Sequence, residues 1–175
     1  IGPESCVLAT DGGLYRTDDH GLSWIDIEDI PVSQFYRVTA NPHNPGVYTA
    51  GAQDNGTTTG SYLAPNAWTR DLGGDGFTSI YHPENSMLRY AGYQWGNWRY
   101  SMTGPEQEPV WNDFVNGIDP EDRVWWDAPL AYHPANPDMM LTGTQRVYRM
   151  NDAPEGFWEA ISPDLTENTS PGLSY

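Results

Sequence analysis

The chain has 175 residues, 24 of them acidic against eight basic, for a net charge of −16, and all eight bases are arginine. Such a surface excludes partners that present phosphate, so neither nucleic acid nor an anionic membrane fits it, and its simplest account is a solvated acidic face suited to a salty or cation-rich habitat. A single cysteine, Cys6, excludes an intrachain disulfide, and no run approaches the roughly 20 apolar residues of a membrane span.

With 18 Gly and 15 Pro scattered throughout, no window holds a helical apolar period for three turns, while short runs rich in Val, Tyr, Trp, Phe and Thr alternate with turn residues. The pattern predicts an all-β chain. Cys6 to Thr10 and Leu14 to Thr17 read as strands joined at Asp11-Gly12-Gly13, and Trp24 opens the next strand. A second unit follows with strands at Tyr36 to Ala40, Val47 to Gly51, Thr57 to Ser61 and Trp68 to Asp71. The third has Phe77 to Tyr81, Leu88 to Tyr93, Trp98 to Met102 and Val110 to Asn112; the fourth has Pro129 to Tyr132, Met139 to Thr144, Val147 to Met150 and Trp158 to Ile161.

Two markers tie these units together. Pro42, Pro83 and Pro134, in Asn41-Pro42, His82-Pro83 and His133-Pro134, lie 41 and 51 residues apart, and Gly51-Ala52-Gln53, Gly92-Tyr93-Gln94 and Gly143-Thr144-Gln145 repeat at the same spacings. Independent markers in one register define an internal repeat. The units are therefore read as a partial blade at 1–30, blades at 31–73, 74–123 and 124–166, and a passage at 167–175. That makes one β-propeller segment of about three and a half four-stranded blades, part of a larger ring completed by further propeller chain or another copy.

The stretch Thr17-Asp18-Asp19-His20-Gly21-Leu22-Ser23-Trp24 carries Thr17, Asp19, Gly21 and Trp24 at the spacing Ser/Thr-x-Asp-x-Gly-x-x-Trp. It resembles the Asp-box, and the chain resembles the BNR/Asp-box propellers, which include sialidases, xyloglucanase-type glycoside hydrolases, sortilin-like receptors and photosystem-assembly propellers. In the fourth unit Asp152, Gly156 and Trp158 keep the outline with one residue inserted; the second and third units lack the acid but retain Trp68 and Trp111. The resemblance implies a bacterial or archaeal protein acting outside the cytoplasm, extracellular or periplasmic. Asn55-Gly56-Thr57 and Asn168-Thr169-Ser170 are glycosylation sequons by pattern.

Propeller geometry places the turns between second and third strands, and the connections entering each innermost strand, on one face around the channel. That face collects Gln53, Asp54, Asn55, Gln94, Trp95, Gln145 and Arg146 from the turns. It also takes Gln34 to Arg37, Gly73 to Phe77, and Trp125, Trp126 and Asp127 from the connections. Amides, carboxylates, guanidinium groups and flat rings together suit sugars, whose hydroxyls need paired polar groups and whose C–H faces need aromatic cover. Gln53, Asp54, Asn55, Gln94, Trp95, Trp126, Gln145 and Arg146 are thus candidate ligand contacts. Gly-x-Gln is equally read as a structural turn whose amide caps strand ends, and Trp126 as packing between blades.

Asp75 and Asp127 precede their repeat prolines by eight and seven residues, which predicts nearly equivalent positions and makes them the candidate acid–base pair of a glycoside hydrolase. His82 and His133 occupy the position of Asn41 in another unit, which points to a turn role. With no phosphate-binding glycine loop, no serine elbow and no ligand-spaced histidines, neither a cofactor nor a metal is expected. Two functions follow from the resemblance: a carbohydrate-binding or glycoside-hydrolase-like propeller contacting a glycan or polysaccharide, or a non-catalytic sortilin-like scaffold holding a protein or peptide.

Overall fold

The computed structural model describes residues 4–10, 13–27, 33–104 and 107–166. Among these residues every regular element is a strand, and no helix long and apolar enough to cross a membrane occurs. Strands β1 (Cys6–Thr10), β2 (Gly13–Thr17) and β3 (Ile25–Asp26) form a three-stranded sheet. The second sheet contains β4 (Phe35–Asn41), β5 (Asn44–Ala52), β6 (Gly56–Ser61) and β7 (Ala64–Leu72). The third contains β8 (Ser79–Tyr81), β9 (Arg89–Tyr93), β10 (Asn97–Ser101) and β11 (Asn112–Asp113), and the fourth β12 (Leu130–His133), β13 (Asn136–Gly143), β14 (Val147–Met150) and β15 (Glu159–Ala160). All four sheets are antiparallel meanders in chain order. Residues 11 and 12 of the first hairpin turn, the Asn168 sequon and the passage at 167–175 lie outside the described residues.

The repeated Asn/His-Pro marker closes the turn from the first to the second strand of each four-stranded sheet. Asn41 accepts a hydrogen bond from the His43 N–H at 2.9 Å, His82 Nδ1 accepts from the N–H groups of Glu84 and Asn85 at 3.2 and 3.0 Å, and His133 Nδ1 accepts from Ala135 N–H at 3.2 Å. A side-chain acceptor two residues before a free N–H is the shared requirement, and Asn and His both supply it.

The two described seams between four-stranded sheets differ in chemistry. The second and third sheets approach backbone to backbone: a Cβ at Gly51 would stand 2.1 Å from the Phe77 carbonyl oxygen, and one at Gly76 would stand 2.1 Å from that of Gly56. Polar contacts fill the rest of this seam, with Thr49 and Ser79 hydroxyls 2.8 Å apart and Arg89 paired with Asp71 at 2.9 Å. Between the third and fourth sheets the core is aromatic and aliphatic, with Tyr90, Trp98, Phe114, Met140, Tyr148, Met150 and Trp158 all buried. Phe114 is its hub, its ring centroid 4.8 Å from Tyr90 and 5.3 Å from Trp158.

The Asp-box-like stretch forms a turn after β2 that is tied to the segment before β1 by the His20 N–H on the Glu4 carbonyl at 3.0 Å. Thr17 Oγ1 donates to Asp19 at 2.7 Å and accepts from Gly21 N–H at 2.9 Å, while Asp19 also accepts from the Ser23 N–H and hydroxyl at 2.9 and 2.6 Å. Gly21, at φ 87°, takes the left-handed conformation that the turn needs. The Ser23 bonds, hydroxyl first and N–H second, followed by Thr17, lower the Asp19 pKa from 3.8 to about 2. Because the folded value lies below the unfolded one, this contribution to stability is present above pH 3.8 and is lost as pH falls through about 2. Ser23→Ala is expected to move the Asp19 carboxyl titration up toward 3.8, read by NMR; an unmoved titration would show that the Ser23 hydroxyl does not hold the carboxylate.

In the fourth sheet the corresponding turn is closed by backbone, Gly156 N–H to Asp152 C=O at 2.7 Å, and Trp158 is buried with its indole N–H on the Phe114 carbonyl at 2.8 Å. Trp24 and Trp68 are 44% and 40% exposed, so the tryptophans at these outer positions divide between surface cover and core.

Candidate functional site

The turn between β5 and β6 and the one between β9 and β10 are built alike. Asp54 and Trp95, 41 residues apart, both take left-handed φ values, 58° and 65°, an uncommon conformation outside glycine. Each backbone N–H reaches across to the connection entering the next sheet: Asp54 N–H donates to Asp75 Oδ1 at 2.6 Å, and Trp95 N–H donates to the Trp126 carbonyl at 3.1 Å. Trp126, through its main chain, therefore occupies the place that the Asp75 carboxylate holds one sheet earlier. This corrects the expected equivalence of Asp75 and Asp127.

Asp127 has a different partner. Its carboxylate binds the Arg37 guanidinium at 2.7 Å, tying β4 to the connection that precedes β12. Asp75 is buried, 6% exposed, and accepts from Gln94 Nε2 at 3.2 Å as well as from Asp54.

Tyr36 joins the two acids. The pairing of β4 with β5 passes from Phe35↔Ala52 to Arg37↔Gly51, which leaves Tyr36 as the bulged residue, and a bulge re-aims the side chain it carries. Its ring lies 4.7 Å from Phe77, and Phe77 lies edge-on to Trp126 at 5.9 Å. Burial first, and the Asp75 charge second, push the Tyr36 hydroxyl pKa above its usual 10, against a hydrogen bond with Trp126; Asp54 and Asp127 add to the upward shift. Tyr36 is therefore a neutral hydroxyl between carboxylates at neutral pH. Trp126 also meets Trp95 edge-on at 4.9 Å, and Trp95 remains 53% exposed.

The structure thus brings Asp54, Asp75, Gln94, Trp95, Trp126 and Asp127 together around Tyr36 and Arg37. Gln53 and Asn55 belong to the same turn as Asp54, where Gln53 N–H binds the Gln34 carbonyl at 3.0 Å and Asn55 Nδ2 binds the Gln53 carbonyl at 3.0 Å. Asn55 is exposed and Thr57 of its sequon is 1% exposed.

Gln145 and Arg146 are placed in a separate network. Gln145 is 7% exposed and donates to Asp122 at 2.6 Å, while its side-chain oxygen accepts from Arg123 N–H. The Asp122 carboxylate also accepts from the Thr144 and Tyr148 hydroxyls at 2.8 and 2.6 Å and has Arg146 at 3.4 Å. Four donors match the roughly four acceptor positions of a carboxylate, so Asp122 is saturated and its work is holding the turn. Asp75 has Asp54 and Gln94 as its hydrogen-bond donors, fewer than Asp122 has.

Sequence reasoning missed Asp122. The markers of the third and fourth units stand ten residues farther apart than those of the second and third, and counting back from Pro134 lands on Asp127. The usable signal was Gln145 itself, since Gln94 has an acid partner. Tyr36 was placed among the connections but not singled out, because a bulge leaves no mark in alternating polarity.

No family model matches the chain, and no curated protein matches it. Solved structures do. An ancestral GH74 enzyme superposes with a TM-score of 0.55 at 16% identity over 93% of this chain and 23% of its own. The GH74 xyloglucanase from Xanthomonas campestris gives 0.53 at 17% over 92% and 28%. YCF48 bound to D1 peptide gives 0.50 at 17%, covering 91% of this chain and 50% of that one. The chain spans about a quarter of the GH74 structures and half of the YCF48 chain. At these identities the likeness establishes the fold, and the fold is that of a β-propeller segment.

Proposed function

We propose that this chain is a segment of a BNR/Asp-box-type propeller, its blades at 31–73, 74–123 and 124–166, whose channel face binds a glycan outside the cytoplasm. The observation that carries this reading is the half-exposed Trp95 ring held edge-on against Trp126 beside Asp75, Asp127, Arg37 and Tyr36. An anchored aromatic ring covers a sugar C–H face, and the surrounding carboxylates, guanidinium and hydroxyl supply directional partners for sugar hydroxyls. Two GH74 neighbours support it at the level of fold.

For cleavage of the bound glycan the proposed acid or base is Asp75, a reading supported by its sheltered carboxylate with two hydrogen-bond donors. Asp127, neutralised by Arg37, then orients the ligand. The test is a neutral-glycan array run beside polysaccharide hydrolysis assays. Trp95→Ala is expected to weaken glycan binding by about 1–3 kcal/mol, the scale of burying an aromatic side chain. Asp75→Asn is expected to abolish turnover with little change in affinity, since a general acid or base acts in the transition state; equal losses in both would make Asp75 a ligand contact. No glycan binding by the full protein would overturn the reading in favour of a scaffold for a peptide, which the peptide-bound YCF48 neighbour supports.

A further inference from the structure

Tyr36 and Asn41 lie at opposite ends of β4, and the Asn41 end borders a cavity of about 350 Å³ between the second and third sheets. Asn41 comes from the β4–β5 turn, Ser86 and Met87 from the β8–β9 turn, and Thr103 from the β10–β11 connection; none of the described lining residues is acidic.

The repeat shows what this place lacks. Gly46, Met87 and Asp138 each stand four residues after a marker proline, and each N–H binds the side chain of the Asn two residues before it, Asn44, Asn85 and Asn136, at 3.4, 3.0 and 3.2 Å. The three positions are equivalent. Across the seam between the third and fourth sheets the marker residue meets this position: His82 accepts backbone N–H groups at Nδ1, so its Nε2 carries the proton and donates to Asp138 Oδ1 at 3.3 Å. One seam earlier the marker is Asn41 and the position is Met87, which brings no carboxylate. Asn41 is 1% exposed, its Oδ1 holds the His43 N–H, and its Nδ2 finds no acceptor. A sheltered donor left unpaired gains more from a new acceptor than a solvated donor does.

We propose that this cavity binds the carboxylate of a small organic acid, which takes the place that Asp138 holds in the next seam. The site does not depend on the glycan reading. Asn41 Nδ2 donates to one carboxylate oxygen, with the Ser86 and Thr103 hydroxyls in the same lining, and an ionised acceptor makes such bonds roughly twice as strong as a neutral one. Met87, unbranched and 43% exposed, swings aside for the acid and packs against its hydrocarbon part. The net charge of −16 selects a small acid over an acidic protein surface, because it repels many charges together, whereas a single carboxylate is screened from charges beyond about 8 Å at physiological salt.

The experiment is an NMR titration of the 175-residue chain with butyrate, exchanged for chloride at constant pH and ionic strength, and separately with butyramide, its uncharged isostere. The Asn41 side-chain N–H groups and the Met87 and Gly104 backbone N–H groups are followed. Expected are saturable shifts with butyrate, with a dissociation constant of about 10 mM or tighter, and binding of butyramide weaker by about tenfold or more. Met87→Asp brings the carboxylate in from the chain itself, as Asp138 does, and should abolish the butyrate shifts while the fold is kept. Asn41→Asp retains the acceptor for the His43 N–H, removes the donor and should abolish them too. No saturable shift with butyrate, equal binding of butyramide, or undiminished butyrate binding by folded Met87→Asp would overturn the site.

Discussion

Arg89→Ala is expected to lower stability by about 3–5 kcal/mol, because it leaves a buried carboxylate without its counter-ion. The Arg89 and Asp71 side chains are 4% and 7% exposed and meet at 2.9 Å where β9 crosses the edge of the second sheet. The guanidinium also lies 5.5 Å from the Trp111 ring, whose N–H binds the Asp71 carbonyl at 2.8 Å, and Thr59 donates to the Asp71 carboxylate at 2.6 Å. Once Arg89 is gone, the Thr59 and Thr69 hydroxyls remain as neutral donors to Asp71, too weak to offset the desolvated charge. Replacing both partners, Arg89→Met with Asp71→Leu, should recover part of the loss, since no buried charge is left unpaired and the Thr59 hydroxyl loses its acceptor. Urea unfolding at neutral pH measures both. A loss below about 1 kcal/mol for Arg89→Ala would mean that the pair behaves as a solvated surface bridge.

Trp98→Ala should cost about 3–5 kcal/mol, the usual range for emptying a core tryptophan site. Trp98 is 2% exposed, belongs to the aromatic core between the third and fourth sheets, and bonds across that seam to Thr142 at 3.0 Å. Trp98→Phe keeps most of the apolar contact and loses the N–H donor. Its expected cost is about 1–2 kcal/mol, because the Thr142 hydroxyl still donates to the Pro129 carbonyl while losing its own donor. Thermal unfolding followed by circular dichroism separates the two variants. Equal losses in both would assign the stability to the hydrogen bond alone.

The sequence by itself determined the strand class and its periodicity. Frequent Gly and Pro deny the chain a helical period, and the Asn/His-Pro turns and Gly-x-Gln markers are local hydrogen-bonding devices that work wherever the backbone carries them. Asn41, His82 and His133 illustrate this, since each needs only N–H groups two or three residues away. The Thr17 to Ser23 turn is legible for the same reason. Gly51 and Gly92 look alike in the repeat, yet the backbone of the neighbouring sheet crowds one and the Trp98 ring of its own sheet crowds the other. Likewise Asp75, Asp122 and Asp127 are three acids at strand entrances whose roles depend on partners 19 to 90 residues away: Gln94, Gln145 and Arg37. Which acid is saturated, which is neutralised and which is held by two neutral donors was decided by the tertiary structure alone, because a carboxylate's chemistry is set by the donors that surround it and those donors are brought together only when the sheets pack.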